Sequence, residues 1–161
     1  MTERIAHMPP SPPTPQAPLS LILDTNVVLD MLLFNDPLTR GLSEALSVDK
    51  LIAWADRDTL TELERVLTFR DFPREGVNRD ALLERYRRLV RLAPEATARP
   101  AGVPRCRDRS DQKFLELAAR TGAHWLVSKD RQVLSLADRR GLPFEILSLR
   151  QASARLAALS G

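Results

Sequence analysis

The sequence predicts an α/β fold, a three-layer α/β/α sandwich around a central parallel sheet of about four or five strands. Short uninterrupted apolar runs, at Leu19–Leu23, Leu51–Ala55, 124–127 and 144–147, have the character of strands buried on both faces. The segments between them carry apolar residues at helical spacing and are long enough for crossover connections. Strand and helix alternate along the chain, which favours right-handed crossovers and a parallel sheet covered by helices on both sides.

The 161 residues begin with a stretch, 1–18, holding six of the twelve prolines, so it reads as an extended arm outside the fold. Residues 19–161 then form one domain with a single good-sized core. The uncharged span 5–23 approaches membrane-crossing length, but its prolines interrupt it and no cationic region leads into a clean apolar run. Neither a signal peptide nor a transmembrane helix is expected.

The first strand ends at Asp24, and a helix is expected over 27–34, broken by Pro37. Residues 39–48 form the next helix, Leu51–Ala55 the second strand, and 59–70 a helix with Leu60, Leu63, Val66 and Leu67 on one face. Pro73 and Gly76 mark a turn. Residues 80–92 follow as a helix, with Leu82, Leu83, Tyr86, Leu89 and Val90 inward and Arg87, Arg88 and Arg91 outward. That apolar face serves either the core or a homodimer interface. The long loop 94–107 offers a short strand at 103–106. The helix 111–120 stops at Gly122 as its cap, the strand 124–127 follows, then a helix over 130–140 ending at Gly141, the strand 144–147, and an amphipathic helix over 149–159.

Several chemistries are excluded by composition. The six glycines are at least 19 residues apart, so no glycine-rich phosphate loop or dinucleotide fingerprint exists. The two histidines lie in the proline-rich arm and at the head of a strand, leaving a histidine-based triad without a base. One cysteine, Cys106, permits neither an internal disulfide nor a cysteine-only metal site, and suits a reducing, cytoplasmic setting. Arginine supplies the net charge of +3, which favours an anionic partner such as nucleic acid, although genomic base composition accounts for it equally well. The aromatic residues, Phe34 and Phe69 among them, sit within apolar patterns, which argues against base-stacking platforms.

What remains in quantity is carboxylate. Asp24 closes the first strand, Asp130 lies just past the strand 124–127, and Asp111 opens a helix. In an open parallel sheet these positions share the edge where ligands bind. Converging carboxylates raise one another's pKa unless a cation neutralises them, and hard oxygen ligands favour Mg²⁺ or Mn²⁺ over zinc. Each acid also has a structural explanation. Asp111 and Asp130 begin helices and can cap them. Glu62 fits a capping box starting at Thr59, and geometry does not choose between Glu62 and Glu64. Asp24 has no capping duty unless the next helix starts at once.

Four ordered segments, 21–29 (LILDTNVVL), 61–67 (TELERVL), 108–118 (DRSDQKFLELA) and 126–134 (LVSKDRQVL), resemble the PIN-domain nucleases, in particular the bacterial toxin-like branch near the VapC-type ribonucleases. The resemblance spans nearly all of residues 19–150. It implies an acidic quartet of Asp24, Glu62, Asp111 and Asp130, with Asn26 and Ser128 as polar supports and Asp108 as an auxiliary acid. It further implies Mg²⁺- or Mn²⁺-dependent hydrolysis of RNA, in which Asp24, Asp111 and Asp130 hold the cation and Glu62 orients water or supports a second ion. Arg109, Lys113 and Arg131 would then grip the phosphate backbone, the alternative being a solvated helix face. A toxin of this kind is held by a small antitoxin protein that inserts a basic residue into the site. One departure stands at Lys129, where the family more often has a small residue.

Two other readings are weaker. A haloacid-dehalogenase-like phosphatase needs an acid at position 26, which is Asn26. A non-catalytic PIN-like module binding RNA or protein is kept open by Lys129 and the proline-rich arm.

Overall fold

The computed structural model describes residues 18–69 and 76–160, so the arm 1–17 and the turn at Pro73 lie outside the described residues. Five strands, β1 (Leu19–Leu23), β2 (Leu51–Ala55), β3 (Val90–Leu92), β4 (Trp125–Val127) and β5 (Glu145–Leu147), pair in parallel in the order β3-β2-β1-β4-β5. The α/β/α expectation holds. Alternation along each strand sends Leu21 and Leu23 of β1 to one core and Ile22 to the other. The first core packs under α1 (Thr25–Leu32), α2 (Arg40–Ser47), α3 (Arg57–Leu67), α4 (Arg79–Leu89) and α7 (Leu149–Ser160). The second lies under α5 (Gln112–Thr121) and α6 (Arg131–Leu134).

Two expectations are corrected. The strand expected at 103–106 is absent, and the fifth strand is β3, which sequence periodicity had merged into the helix before it. As an edge strand, β3 buries only Val90 and exposes Arg91 and Leu92, so it carries no apolar run to announce itself. The helix expected over 130–140 is a single turn, Arg131–Leu134, followed by irregular turns. Of the two roles open to the Leu82/Tyr86 face, core or homodimer interface, the structure shows the core. Gly122 caps α5 as expected, at φ 67°, where its N–H reaches back to the carbonyls of Ala118 and Ala119.

The strand order places the site. From β1 the chain builds outward to β2 and β3, then returns through α5 to build β4 and β5 on the other side. The topological switch point therefore falls between the adjacent strands β1 and β4, and open α/β sheets bind ligands beyond the carboxyl ends of such strands. Asp24 follows β1 there, and Ser128, Lys129 and Asp130 follow β4. No helix among the described residues is long and apolar enough to cross a membrane.

Candidate active site

Helix α1 starts immediately after β1, so Asp24 does have a capping duty: its Oδ1 accepts the Val27 N–H at 2.8 Å. Its Oδ2 accepts the Ser128 hydroxyl at 2.5 Å and the Lys129 N–H at 3.0 Å. The carboxylate is thus nearly enclosed, with 4% exposure. Burial raises the Asp24 pKa, and the hydrogen bonds from Ser128, Val27 and Lys129 oppose that rise. Ser128 is fully buried and also accepts the Asp130 N–H at 3.0 Å, so one hydroxyl ties the end of β1 to the turn bearing Asp130.

Asp130 caps α6 by accepting the Gln132 N–H at 2.7 Å. Asp108 caps the 3-10 turn Arg109–Asp111, accepting both the N–H and the hydroxyl of Ser110, and those bonds hold its pKa below the usual carboxylate value. Asp111 differs from both. It makes no side-chain cap at α5, and its Oδ2 is buried without a hydrogen-bond partner. Burial is the largest cause of an Asp111 pKa pushed up to about 7, followed by the Asp130 carboxyl beside it and the charges of Asp130, Asp108 and Asp24.

Asp108, Asp111 and Asp130 each present one oxygen within 4.8 Å of the other two. Oxygens on opposite sides of an octahedral Mg²⁺ stand about 4.2 Å apart, so small side-chain rotations bring all three onto one ion. Among the described residues none of the three is in an ion pair. An all-oxygen cluster, short of positive charge and holding an unpartnered buried oxygen, fits a hard divalent cation. Asp24 is an acid outside this trio. It lines the same open cleft of about 240 Å³ but is not among the three converging oxygens.

Glu62 reaches the cleft from α3. That helix begins at Arg57, earlier than expected, and its capping box is formed by Asp56 and Thr59, so Glu62 has no capping role. Instead its Oε2 accepts the Thr25 hydroxyl and its Oε1 meets the Lys113 ammonium at 2.7 Å. Lys113 is therefore neither a free phosphate grip nor part of a solvated face. Glu64 points to solvent. Asn26 lines the cleft beside Asp24, and Arg109 and Arg131 are exposed neighbours of Asp108 and Asp130 without ion pairs among the described residues. The Lys129 ammonium turns to Asp30 on α1, 2.8 Å away, and only its backbone N–H enters the site.

Sequence reasoning missed Thr25 and Arg65. Arg65 lines the cleft one helical turn beyond Glu62, a spacing that could have flagged it, and stacks over Phe69 at 5.9 Å. Phe69 and Phe34, which sit within apolar patterns of the sequence, are about half exposed.

Residues 20–132, well over half of the chain, match the PIN domain family. The chain belongs to that family. All the acids described above, from Asp24 to Asp130, fall inside the matched span. PIN domains are generally metal-dependent nucleases, which agrees with the acidic cluster of this one. Among solved structures, the crystal structure of PAE2754 from Pyrobaculum aerophilum is similar, with a TM-score of 0.51 and 14% identity over 87% of this chain and 96% of that one. At that identity the likeness speaks for the shared fold alone. No curated protein matches this PIN domain.

Proposed function

We propose that this PIN domain is a Mg²⁺- or Mn²⁺-dependent endoribonuclease of the VapC-type branch, hydrolysing RNA phosphodiester bonds as the toxin of a toxin–antitoxin pair in the cytoplasm. The observation that carries the metal-dependent chemistry is the buried, unpartnered oxygen of Asp111, a member of the cluster with Asp108 and Asp130. These three carboxylates would hold the cation. When bound, the ion supplies Lewis-acid polarisation of the scissile phosphate and a lowered pKa for attacking water.

The remaining work falls to the chain. Asp24, through Ser128, fixes the turn that carries Asp130 and adds negative charge near the trio. Glu62 is oriented by Thr25 and Lys113, and each of its oxygens retains a lone pair with which to align the water. Arg65 lines the cleft, and Arg109 and Arg131 are exposed next to Asp108 and Asp130; their guanidinium groups are suited to backbone phosphates. An antitoxin that inserts a basic side chain would meet the same acidic trio. The departure at Lys129 does not weigh against catalysis, because its ammonium is engaged by Asp30.

The test is incubation of the purified wild type and Asp24→Asn with a structured RNA mixture, in Mn²⁺ or in EDTA. Cleavage is expected from the wild type with Mn²⁺ only. Products that persist in EDTA, or with Asp24→Asn at the wild-type rate, would refute the reading.

A further inference from the structure

Glu62 is an acid that the trio leaves out, and it already meets a cation supplied by the chain. Its Oε1 is held by the Lys113 ammonium at 2.7 Å and its Oε2 by the Thr25 hydroxyl. The pair is not a loose surface contact: the Lys113 side chain is 23% exposed and that of Glu62 10%. Lys113 lies two residues beyond Asp111, on α5, and meets Glu62 from outside the acidic cleft, lining a neighbouring pocket with Asp56, Glu116 and Arg120. Its positive charge also acts on Asp108, helping hold that carboxyl low.

Two-ion nuclease centres place a second cation a few ångströms from the first, where it neutralises an extra acid and stabilises an oxygen of the reacting phosphate. We infer that in this protein the Lys113 ammonium neutralises Glu62 in place of a second metal ion, so that the site takes a single divalent ion, at Asp108, Asp111 and Asp130. A second hard ion would have to expel a sheltered ammonium from Glu62 and break the Thr25 bond, leaving Lys113 without its partner in a partly desolvated place. The ammonium supplies one charge without a coordination sphere, so it can neutralise Glu62 but cannot generate hydroxide. The inference rests on the metal-binding part of the function proposed above.

Counting bound ions separates the two. Titration with Mn²⁺, followed by the electron paramagnetic resonance of free Mn²⁺, is expected to give one ion per wild-type chain. Lys113→Met, which frees Glu62, is expected to bind two, the second more weakly. Glu62→Gln is expected to bind one, with affinity within about threefold of wild type, and keeps the test valid if Lys113→Met does not fold. Two ions in the wild type, falling to one in Glu62→Gln, would overturn the inference while leaving the metal centre intact. One ion in a folded Lys113→Met would also overturn it. Absence of any bound Mn²⁺ in the wild type would instead remove the metal centre itself.

Discussion

Replacing Asp111 by Asn should stabilise the metal-free protein while destroying its metal site. The folded-state pKa of Asp111 is pushed up to about 7, mainly by burial and then by the neighbouring carboxyls, whereas an unfolded aspartate titrates near 3.9. A group whose folded pKa is raised contributes stability that is complete below the unfolded pKa and is lost as pH rises through the folded one. The wild type therefore loses stability between about pH 4 and pH 7. Because Asp111 is only partly buried, solvent screening leaves this loss at about 1–2 kcal/mol above pH 7. Asparagine removes the charge, keeps the shape, and sacrifices no cap, since Asp111 makes none. Melting in EDTA should show the variant about 3–7 °C above wild type at pH 8, and nearly level with it at pH 4. With saturating Mn²⁺ the order should reverse, because an ion that binds only the folded wild type adds stability by mass action. A variant no more stable than wild type at pH 8 in EDTA would refute the account of Asp111 as an uncompensated carboxylate.

Ser128→Ala should cost about 1–3 kcal/mol in chemical denaturation, because it withdraws a donor from the enclosed Asp24 and an acceptor from the Asp130 N–H. The same variant should bind Mn²⁺ more weakly, as the turn carrying Asp130 loosens. Arg120→Met breaks the 2.6 Å ion pair with Asp56, the acid that caps α3, and removes a bond to the Pro94 carbonyl. With both partners largely sheltered, a loss of about 3 kcal/mol is expected by urea unfolding, and a loss below ~0.5 kcal/mol would show the pair to be dispensable. Lys129→Ser leaves Asp30 without its cation, and the half-exposed lysine sets the cost at about 1 kcal/mol in the same assay.

Four of the five strands and the order of the helices are legible in the sequence because burial on both faces forces an uninterrupted apolar run, as in Leu21, Ile22 and Leu23. The fifth, β3, is hidden because an edge strand buries one residue, Val90, and its neighbours continue the polar pattern of α4. Asp24, Asp111 and Asp130 are visible as acids at strand ends and helix starts, since the positions of strand ends are local facts. Which oxygens converge is not local. Asp108 joins Asp111 and Asp130, while Asp24 turns its oxygens to Val27, Ser128 and Lys129, because α1 begins at once and draws that carboxylate into a cap. Glu62 and Lys113 are 51 residues apart and meet only because α3 and α5 pack against each other across the edge of the sheet. Composition and periodicity along one chain dictate what each segment must bury. The distances between charges on different segments are decided by how strands lie side by side, and in this protein those distances separate the acids that can share an ion from the acid that a lysine already neutralises.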